Sequence, residues 1–180
     1  MRATDNVCYL NYKEYVDTLE KEREKRIKPN IVKKAFKDID VNDPFFASLK
    51  TDYPDYTKWF AKKKKQGANA YVTVNKRHIT SLLMIKVENE EEDYGNFSKE
   101  MKKCRRLKIE TFKVEDTGKH IANTFIEIIK KKAIEFKIEE IYITILDKHK
   151  ELINFLIKEG FYYYCIKNTN EKVYIKEIRN

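Results

Sequence analysis

Glycine, proline and cysteine are all scarce in this 180-residue chain, at 4, 3 and 3 residues, and tryptophan occurs once. So little glycine and proline excludes a collagen-like or flexible-linker chain. The cysteines, Cys8, Cys104 and Cys165, are odd in number and far apart, with no CxxC pair and no histidine couple beside them. They support neither a disulfide framework nor a metal site. Also missing is any apolar run near the roughly 18 residues of a membrane span. The opening MRATDNVCYLNYKEY lacks the apolar core of a signal peptide, so the expectation is a cytoplasmic protein with no membrane partner.

What the chain does have is aromatic and charged. With 12 tyrosines, 10 phenylalanines and 42% hydrophobic residues it can fill one sizeable core, since a unit of about 150 residues buries roughly two-thirds of its unfolded surface. The net charge of +9 comes from 38 basic and 29 acidic residues spread along the chain, and reads first as a solvating surface.

Because glycine is so rare, Gly67, Gly95, Gly118 and Gly160 each mark a place where a side chain is unwelcome. Residues 11–27 have helix-forming composition that dissolves into EKEREKR and is stopped by Pro29. IVKKAFKDID reads as a strand. In NDPFFASLK, Asp43 as N-cap and Pro44 at the first helical position announce a helix. Pro54 opens a second one, with Tyr56, Trp59 and Phe60 on its buried side and Gly67 closing it after four lysines.

ANAYVTVN and HITSLLMIKVE, joined by Lys76-Arg77, form a hairpin, and residues 88–104 read as a mobile surface connection. RRLKIETFKV is a strand, and the stripe Ile121, Ala122, Phe125, Ile128 and Ile129 predicts a helix starting near Gly118. IYITIL is a strand covered on both faces. KHKELINFLIKEG is a helix with Leu152, Phe155 and Leu156 inward and Gly160 as its cap, and FYYYCIKNTNEKVYIKEI folds back around Asn168-Thr169-Asn170. Strand–helix–strand over 105–146 demands parallel pairing whereas the hairpins demand antiparallel pairing, so the sheet is mixed.

The turn from Val114 to Ala122 leads from a buried strand into a helix N-terminus, where free N–H groups and the helix dipole can hold a pyrophosphate. Within this strand order, Thr117-Gly118-Lys119-His120-Ile121-Ala122 resembles the acetyl-CoA loop, Arg/Gln-x-x-Gly-x-Gly/Ala, of the GCN5-related N-acetyltransferase (GNAT) family. IYITILDKHKELINFLIKEGF, ending at Gly160-Phe161, resembles the strand and helix that follow in that family. The best match spans 105–161. The order of elements carries the resemblance over 31–180, leaving 1–30 as an N-terminal helical extension or linker.

The resemblance implies an α/β (α+β) fold: a mixed, mostly antiparallel central sheet flanked by helices, with one parallel strand pair, 105–114 and 139–146, splayed apart. It implies acetyl-CoA as cosubstrate, with no metal, and direct transfer of the acetyl group to a primary amine of a small molecule, protein or peptide. The pantetheine arm would lie along the backbone near Phe112 and Val114, and the pyrophosphate on the loop of Thr117, Gly118, Lys119, His120, Ile121 and Ala122. His149 falls near the position of a family asparagine and joins the cofactor-binding set.

Three residues depart from the family pattern. Thr117 replaces a basic or amide residue, His120 a glycine, and Leu156 the tyrosine with which many members protonate the thiolate. Tyr142, Tyr162, Tyr163 and Tyr164 are replacement acids or simply core and edge aromatics. Glu110, in the strand bordering the cleft, is the candidate base. Acceptor recognition falls to Asp52, Tyr53, Asp55 and Tyr56, where acid and aromatic together can hold a cationic amine, or where the acids merely favour a helix start.

Two other readings compete. One is a catalytically weak acyl-CoA-binding regulatory module, suggested by Leu156 and the altered loop. The other is an RNA- or tRNA-associated protein using Lys62 to Lys65, Arg105, Arg106 and Lys130 to Lys132, for which the sequence has no nucleic-acid motif. The hairpin edges would allow a homodimer.

Overall fold

The computed structural model describes residues 29–116 and 120–178; the helical composition at 11–27 and the loop residues Thr117, Gly118 and Lys119 lie outside them. Strand β1 (Val32–Ala35) ends in a 3₁₀ turn at Phe36–Asp38. A second such turn, Pro44–Phe46, leads into α1 (Ala47–Asp52), followed by α2 (Tyr56–Lys65), β2 (Asn69–Asn75), β3 (His78–Glu88) and β4 (Arg106–Val114). Then come α3 (Ile121–Glu135), β5 (Glu140–Ile145), α4 (Lys150–Lys158), β6 (Tyr162–Ile166) and β7 (Lys172–Glu177). The seven strands form one sheet in the order β1-β2-β3-β4-β5-β7-β6, antiparallel throughout except for β4 and β5. The mixed, mostly antiparallel sheet expected from the sequence is the one formed.

Local chemistry explains most boundaries. The Asp43 carboxylate accepts from the Phe45 N–H at 3.0 Å and Pro44 supplies the fixed φ of a first turn. Lys76 and Arg77 both take positive φ, 47° and 75°, as the tight β2–β3 turn demands. Gly160, at φ 88°, ends α4 in the left-handed region.

The two faces of the sheet are covered differently. Under α3 and α4, Leu107, Ile109, Ile141, Ile143 and Ile145 meet Phe125, Ile129 and Leu156. On the other face, Phe36, Phe45, Phe46 and Phe60 pack on Val72, Leu82 and Met84 beneath α1 and α2. Farther along that face a smaller cluster joins Met101 to Tyr142, Cys165, Val173 and Ile175.

Two expectations need correction. The connection 89–105 is not a loose surface strap. The Tyr94 and Phe97 rings pack edge-on against Tyr142 at 5.9 and 6.2 Å, the Ser98 N–H donates to the Ile166 carbonyl at 2.8 Å, and Met101 and Cys104 are buried. In α4, Ile153 and Leu156 point inward, while Leu152 and Phe155 are half-buried at the rims of the clefts described next.

Candidate functional site

Strands β4 and β5 pair only over Arg106–Ile109 against Glu140–Ile143. A buried ion pair clamps the start of this ladder, with Arg106 Nε 2.6 Å from Glu140 Oε1. The ladder ends where β4 carries one residue more than β3: Met84 faces Thr111 and Ile85 faces Ile109, so Glu110 is a bulge. Bulges bend the strand that carries them. Beyond it β4 stays with β3, while Thr144 and Ile145 pair with β7 alone, so the two parallel strands splay. The Glu115 N–H donates to the Thr80 carbonyl on β3, and strand alternation therefore turns the backbone groups of Phe112 and Val114 into the opening.

Two clefts meet at this opening. The first, about 970 Å³, runs between the end of β4 and the N-termini of α3 and α4, with His120, Ile121 and Ala122 in its wall. His120 sits in the left-handed region at φ 50°, where glycine is favoured, and makes no side-chain cap. The first-turn N–H groups of α3 have no intrahelical partners. The second cleft, about 670 Å³, lies on the opposite face between α1, α2 and the β6–β7 hairpin, and is walled by Asp52, Tyr53, Asp55, Tyr56 and Glu110 among others. Phe112, Lys113, His149 and Leu152 line both clefts and form the waist between them.

The described members of the sequence-predicted set line these clefts, but their side chains are engaged in ways that the sequence did not reveal. Both Glu110 oxygens accept from Lys63 Nζ at 2.7 Å, with the two side chains only 7% and 11% exposed. Asp52, 7% exposed, is held by Lys148 and by His149, whose Nε2 lies 2.9 Å from Asp52 Oδ2. Asp55 pairs with Lys58 on the surface at 3.0 Å. Both acids thus line the cleft already matched by cations rather than waiting for an amine.

The two tyrosines keep their protons. Burial, reinforced by the nearby Glu171 and Asp52 charges, pushes the Tyr53 phenol up to about 12. Burial also raises Tyr56, whose hydroxyl sits beside Thr111 without a well-formed hydrogen bond.

Sequence reasoning missed the parts played by Lys63, which holds Glu110, and by the cleft residues Lys113 and Glu171. Lys113 donates to the Phe45 carbonyl and to Ser48 Oγ, tying β4 to α1. Glu171 accepts from Thr144 at 3.0 Å and Thr169 at 2.7 Å and pairs with Lys167. The replacement acids lie elsewhere: Tyr142 is buried with its hydroxyl on Glu88, Tyr164 donates to the Glu100 carbonyl, and Tyr162 and Tyr163 are exposed on β6. Leu156 is wholly buried in the core. Of the cations considered for RNA, Lys63, Arg106, Lys130 and Lys132 are already in ion pairs. Among the described residues no group of His, Cys, Asp or Glu is arranged to hold a metal ion, and no helix is long and apolar enough to cross a membrane.

No protein-family model and no curated protein sequence matches the chain. Solved structures do. An N-acetyltransferase from Staphylococcus aureus Mu50 is similar with a TM-score of 0.57 at 11% identity, over 83% of this chain and 99% of that one. Arabidopsis thaliana NAA60, in complex with a bisubstrate analogue, gives 0.54 at 12% identity over 83% and 99%. A GNAT family acetyltransferase from Elizabethkingia anophelis, with acetyl-CoA bound, gives 0.51 at 13% identity over 84% and 100%. These likenesses show the fold: the chain has the GCN5-related N-acetyltransferase fold.

Proposed function

We propose that the protein is an acetyl-CoA-dependent N-acetyltransferase acting on a primary amine of a small molecule, protein or peptide, with 31–180 as the catalytic domain and 1–30 as an extension. The observation that carries this reading is the shared waist. Two clefts from opposite faces of the sheet meet at Phe112, Lys113, His149 and Leu152, so a long cofactor in one can present its acyl end to a molecule in the other. Similar folds solved with acetyl-CoA and with a bisubstrate analogue support an acetyl-CoA-dependent reading.

In this reading the backbone of Phe112 and Val114 receives the pantetheine arm. The loop from Thr117 to Lys119 and the α3 N-terminus at His120, Ile121 and Ala122 receive the pyrophosphate, since the first-turn N–H groups and the dipole of a helix both favour an anion. The acceptor lies in the cleft walled by Tyr53, Tyr56 and Glu171, beside the cation-paired Asp52 and Asp55. Glu110 is the base for the attacking nitrogen, held at the bulge by Lys63.

Acetyl-CoA should raise the melting temperature in a concentration-dependent way, because a ligand that binds only the folded state stabilises it by mass action. A panel of primary amines should then release free CoA, and stabilisation without release from any amine would instead favour a regulatory acyl-CoA-binding module.

A further inference from the structure

An acetyl transfer leaves an electron pair on the CoA sulfur, and the phenol that many relatives of this fold place on α4 is absent, Leu156 being buried. The waist between the clefts is where a thioester must lie if the proposed function holds, since it alone touches both the cofactor side and the acceptor side. Two of its four residues are apolar and one, Lys113, is spent on Phe45, Ser48 and Glu115. The fourth is His149, at the N-cap of α4, with Nε2 2.9 Å from the buried Asp52 carboxylate on α1.

We propose that His149 is the general acid of the reaction and Asp52 its positioning residue, an inference that rests on the acetyltransferase reading. Asp52 fixes the ring through Nε2, leaving Nδ1 for the substrate. The neutral amine attacks the thioester carbonyl carbon, and the C–N bond forms as the C–S bond breaks. The C–S electron pair passes to sulfur, which takes a proton from the His149 imidazolium. The nitrogen gives up one proton to Glu110, and solvent later reprotonates the imidazole and deprotonates Glu110. The sum is amine plus acetyl-CoA to amide plus CoA thiol. Asp52 thereby gains a role other than the one expected from the sequence, that of attracting the amine.

The charged groups around His149 are Asp52 from α1, Lys113 from β4, Lys148, Lys150 and Glu151 from its own segment, and Glu171 with Lys167 across the acceptor-side cleft. The test uses His149→Gln and Asp52→Asn in the full chain, with acetyl-CoA, hydroxylamine as a small nucleophile, and the best amine of a panel. His149→Gln should lower kcat by about 10²–10³ while changing the acetyl-CoA KM and the CoA-induced melting shift by less than about threefold. Asp52→Asn should lower kcat by about tenfold with the same split.

A His149→Gln variant with kcat within threefold of the native value, or one that loses only acetyl-CoA affinity and recovers full kcat at saturation, would overturn the inference while leaving the acetyltransferase reading intact. If the native chain itself neither bound acetyl-CoA nor released CoA, that reading would fall first and this one with it.

Discussion

The two faces of the sheet are built on different physics. Beneath α3 and α4 the buried strand residues are aliphatic apart from Phe112 and Tyr174, and the cleft on that side is made from backbone groups, a helix end and a bulge-driven splay. The opposite face buries charge: Lys63 on Glu110, Arg106 on Glu140, and Glu88 beneath Tyr94 and Tyr142. Apolar packing tolerates imprecision at small cost, whereas a buried charge is cheap only while its partner is in place. The first face therefore sets the fold, and the second holds side chains in the geometry that acceptor chemistry needs.

The largest effect should come from breaking a pair on the charged face. Lys63→Met leaves Glu110 buried without its cation and should cost about 3–5 kcal/mol of unfolding free energy by urea titration, most of it recovered in Lys63→Met/Glu110→Leu. Equal stability of the single and double variants would erase the contrast between the faces.

Glu88 comes next. Its burial opposes ionisation, but hydrogen bonds from Tyr142, Tyr94 and Lys86 and the charge of Lys108 outweigh this and hold its carboxyl below the usual range. A depressed folded pKa gives stability that is present above the unfolded value of about 4.3 and lost as pH falls through the folded one. Glu88→Gln should therefore cost about 1–3 kcal/mol at neutral pH and flatten the stability curve below about pH 4. A variant whose acid limb matches the native one would show that this carboxylate carries no such linkage.

The smallest effect belongs to the cofactor-side cleft. His120→Gly should relieve the left-handed strain at φ 50° and raise stability by about 0.5–1 kcal/mol, read as a rise in urea midpoint with an unchanged slope. A fall of similar size would mean that the His120 side chain holds the α3 start in place.

The same contrast explains what the sequence disclosed. Ile121, Phe125 and Ile129 announce α3 because an amphipathic helix must repeat, and Asp43-Pro44, Lys76-Arg77 and Gly160 mark turns because backbone geometry restricts which residues fit. The charged face has no period. Lys63 is one of four adjacent lysines, and nothing local separates the one that meets Glu110, 47 residues away, from its solvated neighbours. The bulge that aims Glu110 is a register shift against β3, invisible without the partner strand. His149 carried only a positional likeness, and its tie to Asp52 joins residues brought together by the fold alone. The connection 89–105 misled for a related reason: its anchors Tyr94, Phe97, Met101 and Cys104 are spaced irregularly among charges.

The central claim, that the clefts on the two faces meet to form one acyl-transfer site, is tested most directly by titrating acetyl-CoA into the native protein in the calorimeter, with and without the best amine of the panel. The account predicts saturable one-to-one binding with a Kd below about 1 mM, and amine-dependent appearance of free CoA at the same saturation. No binding heat at millimolar acetyl-CoA, and no thiol released with any amine, would contradict it.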